Sequence, residues 1–238
     1  PELTEALRAA VADRTQAALE FLRAAVAEFG SAGELTFANS FGAEDMVLTD
    51  LILQAKLPIE IFSLDTGRLP AETYTLIGDV EKQYGTKLKI FFPDSTAVEG
   101  FVRSNGINAF YDSVELRKAC CGVRKMEPLR RALAGKKAWI TGLRAAQSVT
   151  RTGMALREFD DGNGLDKLNP LLDWSEAEVW AYIRMHAVPY NALHDQFYPS
   201  IGCAPCTRAI AVGEDVRAGR WWWEDPTTKE CGLHVSER

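Results

Sequence analysis

The sequence predicts an α/β fold, a parallel sheet with helices on both faces, followed by a mobile C-terminal tail. Three observations carry this. Short apolar segments recur without polar alternation, as strands covered on both faces require. Segments with apolar residues at helical spacing lie between them. Several of the apolar segments run out into a polar loop containing glycine.

Taken in order, residues 3–29 read as an amphipathic helix: Leu3, Leu7 and Val11, then Leu22, Val26 and Phe29, fall on one face, with Gly30 as its stop. Leu35 to Asn39 is the first strand. It opens into Ser40-Phe41-Gly42-Ala43-Glu44-Asp45 and then a helix through Met46, Val47, Leu51 and Ile52. Ile59 to Leu64 is the second strand, ending in Asp65-Thr66-Gly67-Arg68. Pro70 suits the first turn of a helix over 71–84. Lys87 to Phe92 and Ala138 to Thr141 are the third and fourth strands, the last ending at Gly142. Beyond about residue 165 the pattern reads as mostly helical. Ser175 and Glu178 form a capping box ahead of Val179, Trp180 and Ile183, and a short helix follows over Ala192–Phe197. No repeat and no clean linker appears, so the expected division is an α/β domain over 1–212 and a tail over 213–238.

The composition removes several function classes. A hydrophobic content of 47% and a charged content of 25% suit a soluble globular chain. The net charge of −6 argues against a nucleic-acid partner, which needs a basic face. No apolar run approaches the roughly 20 residues that span a bilayer, so no membrane partner is expected. Residues 1–29 carry Glu2, Glu5 and Asp13 and lack the basic start of a secretory signal. An odd cysteine count with a C-x-x-C pair then favours a reducing cytoplasm over a disulfide framework.

The five cysteines are the sharpest signal. Cys120 and Cys121 are adjacent, Cys203 and Cys206 form a C-x-x-C pair, and Cys231 stands alone. Two pairs of thiolates suit a metal centre. Adjacent cysteines fit one tetrahedral zinc poorly, whereas a cuboidal cluster offers separate iron corners; a [4Fe–4S] cluster is therefore preferred, with zinc as the competitor. The fifth thiol suits a nucleophile or redox carrier. Gly232 beside it gives mobility, and His234 can protonate a leaving group. The loops at Ser40–Asp45, Asp65–Arg68 and Gly142–Arg144 follow strands and suit a nucleotide site. Lys125, Arg144, Arg151, Arg208, Arg217 and Arg220 gather near these features, and arginine forks suit phosphate or sulfate oxygens.

These motifs resemble the assimilatory adenylylsulfate (APS) reductases, within the wider phosphoadenylylsulfate (PAPS) reductase family. The resemblance rests on Ser40 to Asp45, Leu64 to Arg68, Cys120-Cys121-Gly122-Val123-Arg124-Lys125, Thr141 to Arg144 with Gln147-Ser148, Cys203 to Arg208, Gly219 to Trp223, and Glu230-Cys231-Gly232-Leu233-His234. It implies an adenine-nucleotide α-hydrolase-like fold and a [4Fe–4S] cluster on Cys120, Cys121, Cys203 and Cys206. It implies reduction of APS to sulfite and AMP, in sulfate assimilation and cysteine biosynthesis, through an S-sulfocysteine on Cys231. Thioredoxin or a glutaredoxin-like thiol donor would supply the electrons.

The same resemblance implies catalytic roles for Cys231, His234 and Lys125. It implies substrate contacts from Ser40, Phe41, Gly42, Asp45, Leu64, Asp65, Thr66, Gly67, Arg144, Arg151, Arg217 and Arg220. PAPS-specific relatives lack the cysteine pairs, so APS is favoured; a PAPS-reducing or dual-specificity enzyme stays open, as does a homo-oligomer. Glu44-Asp45-Met46 replaces the Asp-Ser ending of the ordinary pyrophosphate loop, which counts against ATP cleavage by an adenylating or tRNA-thiolating relative. A cluster-based redox sensor or zinc module is the non-enzymatic alternative, and it leaves Cys231 without a task.

Overall fold

The structure is a computed structural model that describes residues 2–30, 33–147, 154–225, 227 and 229. Six strands form one sheet in the order β3-β2-β1-β4-β6-β5. They are β1 (Leu35–Ala38), β2 (Glu60–Leu64), β3 (Lys89–Phe91), β4 (Ala138–Ile140), β5 (Arg157–Asp160) and β6 (Leu165–Leu168). β1 runs parallel to both β2 and β4, with Phe37 opposite Ile61 on one side and Ile140 on the other. β6 joins β4 in parallel, and β5 turns back antiparallel. The helices are α1 (Glu5–Phe29), α2 (Ala43–Gln54), α3 (Ala71–Tyr84), α4 (Ser95–Asn105), α5 (Val114–Cys121), α6 (Glu127–Leu133) and α7 (Glu176–Met185).

The mostly parallel sheet and the first three helices follow the sequence pattern. The differences have local causes. Residues 157–168, expected to belong to a loop and the start of a helical region, form a hairpin instead. Its strands are short and charged (Arg157, Glu158, Asp166, Lys167), so they lack the apolar run that betrayed the others. Helices α4 and α5, also unforeseen, open on polar N-caps: Asp94 accepts from the Ala97 amide at 2.8 Å and Ser113 from the Leu116 amide at 3.1 Å. The Ala192–Gln196 segment is 3₁₀ rather than α-helical.

The described residues fall into two compact units. The first comprises those of 1–62, 75–89 and 135–191. Its core holds Val11, Leu22, Phe37, Met46, Leu48, Ile52, Ile140, Leu171, Val179 and Tyr182. Helix α2 is buried continuously from Asp45 to Ile52, as a helix apolar on most sides must be. Its one internal carboxylate, Asp50, accepts from the hydroxyls of Tyr84 at 2.8 Å and Tyr182 at 2.7 Å, which meets its need for donors. The capping box expected at Ser175 is present: the Glu178 amide donates to Ser175 Oγ at 3.2 Å, and the Ser175 amide donates to the Glu178 carboxylate at 2.6 Å. The second unit comprises the described residues of 63–74, 90–134 and 192–238. Here α5 runs into a π-helical turn, Gly122–Met126, and then into α6. Arg117 on α5, fully buried, makes a two-pronged ion pair with Glu224 at 2.8 and 2.7 Å.

Candidate active site

In the first unit, the chain leaves β1 through Asn39 and Ser40 and enters α2 at Gly42. β2 and β4 flank β1, so the carboxyl ends of β1 and β4 border a point where the strand order reverses, the usual place for a ligand crevice. The loop is held from below. Asn39 accepts from the Phe41 amide at 2.7 Å and donates to Thr49 Oγ1 at 2.9 Å, and Thr49 donates to the Asp45 carbonyl at 2.7 Å. Phe41 is buried with φ 62°, a left-handed conformation that a bulky residue adopts only under constraint. Asn39 escaped the sequence reading; an asparagine ahead of a tight loop was its only signal.

Asp45 turns its carboxylate back into this loop. Its Oδ2 accepts from the Ser40 amide at 2.6 Å and from Ser40 Oγ at 2.7 Å. The Gly142 amide at the end of β4 is a further donor to it. Any Cβ on Gly142 would overlap the Asp45 carboxylate. Burial pushes the Asp45 carboxyl up to about 6, and the Ser40 hydrogen bonds oppose that rise. Beside it Glu44 accepts from Arg144 Nε at 2.7 Å, and Arg144 Nη1 donates to the Trp174 carbonyl at 3.3 Å. Arg144, expected to bind an anion, thus has a carboxylate of its own.

In the second unit, Leu64 ends β2, and Asp65, Thr66 and Gly67 follow it. Asp65 accepts from the Gly67 amide at 2.7 Å and from Tyr74 Oη at 2.8 Å; burial and then this bond push the Tyr74 hydroxyl up to about 12. Gly67 has φ 73°, and a Cβ there would sit 3.4 Å from Arg124 Nη1, so glycine serves both turn and neighbour. Thr66 links this loop to the cysteines. Its hydroxyl lies 3.2 Å from Cys203 Sγ, and its carbonyl accepts from Arg124 at 2.7 Å.

Cys120, Cys121, Cys203 and Cys206 all carry free thiols and line one recess. Cys120 and Cys121 close α5; Cys203 and Cys206 bracket a 3₁₀ turn that is hydrogen-bonded to the Arg68 carbonyl through the Ala204 amide at 2.8 Å. Arg68, Arg117, Arg124 and Lys125 complete its polar wall, with Phe110, Pro205 and Trp221 as the apolar part. Lys125 and Arg124 sit on the π-helical turn, a distortion that is frequent at functional sites.

Burial raises the Cys203 thiol, but Lys125, the Thr66 hydroxyl, Arg220 and Arg124 together outweigh it and hold the pKa below the ordinary thiol range. Burial and the neighbouring Cys203 push Cys206 up to about 12, and burial raises Cys120. Among the described residues no three His, Cys, Asp or Glu side chains close on a single metal ion. The donor set is all thiol, it is divided between two separated backbone segments, and cations surround it. That fits a multi-iron cluster, whose four thiolates attach to different irons and whose net negative charge needs compensation.

The remaining candidates are placed as follows. Arg220 is buried, donates to Ser200 Oγ at 3.2 Å and lies 4.8 Å from the centre of the Trp221 ring. A Cβ on Gly202 would overlap its guanidinium. Arg217 donates to the Lys229 carbonyl at 3.1 Å, and Arg208 pairs with Glu214 at 2.9 Å. Arg151, Cys231 and His234 lie outside the described residues. Arg117 was not singled out from the sequence, and Arg68, Arg124 and Trp221, though inside the quoted motifs, were given no role there, because only the fold brings them to the cysteines.

Comparison with known proteins agrees with this arrangement. Residues 34–209 match the phosphoadenosine phosphosulfate reductase domain. An adenosine 5'-phosphosulfate reductase of Allochromatium vinosum is 62% identical over 94% of this chain and 86% of its own length. One of Burkholderia cepacia is 52% identical over 98% of this chain and 94% of its own. Among solved structures, a phosphoadenylyl-sulfate reductase from Candida auris superposes with a TM-score of 0.70 at 32% identity, covering 81% of this chain and 90% of that one. With a domain match over most of its length and relatives of this identity, the chain belongs to the phosphoadenosine phosphosulfate reductase family, among its adenosine 5'-phosphosulfate reductases.

Proposed function

We propose that the protein is the adenylylsulfate reductase of sulfate assimilation, taking electrons from a thioredoxin-like dithiol to release sulfite and AMP. The observation that carries this is the convergence of Cys120, Cys121, Cys203 and Cys206 on one cation-walled recess, in a chain whose fifth cysteine is left over. Cys231 is the proposed nucleophile. Its thiolate attacks the sulfur of the bound sulfate group; a sulfur–sulfur bond forms, the bond from that sulfur to the bridging oxygen breaks, and AMP leaves with the electron pair. A donor thiolate then attacks the Cys231 sulfur and expels sulfite, and the donor's second thiol releases Cys231 while the donor becomes a disulfide.

A thiolate approaching a phosphosulfate meets like charge, so cations must offset it. Lys125, Arg217 and Arg220 are the proposed cations, with Arg151 and with His234 as proton source. The adenosine is assigned to the loop Ser40–Asp45 of the first unit. Cys120, Cys121, Cys203 and Cys206 would hold a [4Fe–4S] cluster, which would supply a fixed local charge while the dithiol supplies both electrons. Free thiols and dithiol chemistry suit a reducing compartment, the cytoplasm. Among the described residues no helix is long and apolar enough to cross a membrane.

Incubation with labelled APS in the absence of a thiol donor, followed by mass analysis of the peptide holding Cys231, tests the route. A gain of one sulfonate on Cys231 is expected, and it should vanish when reduced thioredoxin is added. Sulfite formation that survives Cys231→Ser would rule the mechanism out. Metal analysis should find about four irons with matching sulfide per chain; stoichiometric zinc would remove the cluster.

A further inference from the structure

Beyond Cys206 the chain turns back on itself as a hairpin over residues 207–220, inside the second unit. Thr207 bridges antiparallel to Arg220, the Arg208 amide donates to the Gly219 carbonyl at 3.0 Å, and the Trp221 amide donates to the Cys206 carbonyl at 3.1 Å. A Cβ on Gly219 would overlap the Arg208 carbonyl, so glycine is what lets the two limbs approach. Arg208 donates to both oxygens of Glu214, at 3.0 and 2.9 Å, and the Ala211 amide donates to Glu214 at 2.6 Å, which braces the tip. On this braced tip Val212 is 95% exposed and Val216 43% exposed. The Ile210 amide donates to the Phe197 carbonyl at 2.9 Å, and Phe197 is 63% exposed with φ 64°. A single exposed apolar residue is ordinary. Here three are gathered on one braced hairpin and the segment bonded to it, and one of them, a bulky ring, is held in a left-handed conformation it does not prefer.

The hairpin also holds Lys229, the last of the described residues. Arg217 donates to the Lys229 carbonyl at 3.1 Å, and Lys229 Nζ donates to the Ala218 carbonyl at 3.5 Å. Cys231 follows two residues later, so covalent geometry keeps its Cα within about 8 Å of the Lys229 Cα. We propose that this hairpin is the docking element for the protein that carries the reducing dithiol, with Val212, Val216 and Phe197 as its contact points. The inference rests on the Cys231 mechanism: a carrier whose thiolate attacks the Cys231 sulfur has to come up to where the chain leaves the hairpin. Arg208 is engaged by Glu214, so the tip offers methyl groups and a ring, and it fits an apolar rim around the carrier's thiol rather than an anion. A small-molecule dithiol has no such rim and does not need the tip.

Sulfite formation by the full-length holoenzyme, driven by reduced thioredoxin and separately by dithiothreitol, tests this. Val212→Asp combined with Val216→Asp, and independently Phe197→Ser, should raise the KM for thioredoxin by about tenfold or more. The KM for APS, the rate with dithiothreitol and the sulfonation of Cys231 in the absence of any donor should stay at their wild-type values. An unchanged KM for thioredoxin in both variants would overturn the proposal, and if light scattering also showed the valine variant splitting a wild-type dimer, the face would belong to a second copy of the chain. An equal loss of rate with dithiothreitol would overturn it too, since the tip would then act on the active site and not on the carrier. Failure of the wild type to sulfonate Cys231 would instead remove the Cys231 mechanism, and this proposal with it.

Discussion

Asp45 and Lys125 show how single residues set the chemistry. Burial is the larger influence on Asp45 and lifts it from 3.8 to about 6. The folded pKa lies above the unfolded one, so the group's contribution to stability is full below pH 3.8 and is lost as pH rises through about 6. The shift corresponds to about 3 kcal/mol. Asparagine keeps the shape and does not titrate. The stability of wild type relative to Asp45→Asn should therefore fall by roughly that amount between the acid and neutral sides of the window, as read by urea denaturation; a flat difference would show that the carboxyl is not strained by burial. Lys125 is different, being the cation that does most to hold Cys203 low. Lys125→Ala should leave the iron content intact and cut turnover by about a hundredfold, the scale of removing one pre-placed transition-state partner. A variant of normal rate would end its catalytic role. The cysteine pairs could be read from spacing, and the role of Lys125 followed only from the family resemblance. The links of Arg124 to Thr66 and of Trp221 to Arg117 could not be read, because those partners lie far away in the chain.

Among the elements, α5 carries the most information per turn. It ends in Cys120 and Cys121, continues as a π-helical turn bearing Arg124 and Lys125, and is tied to the 221–224 turn by Arg117 and Glu224. Both partners are buried, with side chains 0% and 3% exposed, and Arg117 also lies 4.6 Å from the Trp221 ring centre. Removing one partner of such a pair strands a buried charge, at a cost of about 3–5 kcal/mol. Arg117→Met should lower stability by that order, and adding Glu224→Met should restore most of it, since a buried pair exchanged for apolar side chains is often neutral. Equal instability of the single and double variants would mean that the surrounding ring packing, and not the charge, holds the element. Helix α4 carried a readable signal that was passed over, Asp94 as cap ahead of Val98, Phe101 and Val102 at helical spacing, whereas α5 spans only eight residues, too few for a periodicity to stand out. Strands β1, β2 and β4 were legible because burial on both faces leaves little room for polar alternation. The β5–β6 hairpin, with charged residues on its strands, gave no such signal.

For the molecule as a whole, the two units are stabilised by different means. The continuous apolar cluster, with Phe37, Met46, Ile52, Ile140 and Val179, draws only on the first unit. The second buries Arg117, Arg124, Arg220 and the thiols Cys121 and Cys203 beside a smaller apolar set such as Phe110, Leu129 and Trp221. Arg117 has its counter-charge in Glu224; the other buried cations facing thiols are a poor core unless further negative charge is supplied among them. A cluster bound only to the folded protein would supply it, and its binding free energy would add directly to the stability of the residues that hold it. Removing iron from the holoenzyme with a chelator under reducing conditions should therefore raise amide hydrogen exchange in 63–74, 90–134 and 192–225. Protection should persist in β1, α2, β4 and α7, whose core contains no cysteine. Exchange that rises equally in α2 and α5 would refute this division of stability. Exchange that stays unchanged in α5 would show that the four thiols need no iron to keep their fold, and would return the cysteine recess to an ordinary packing role.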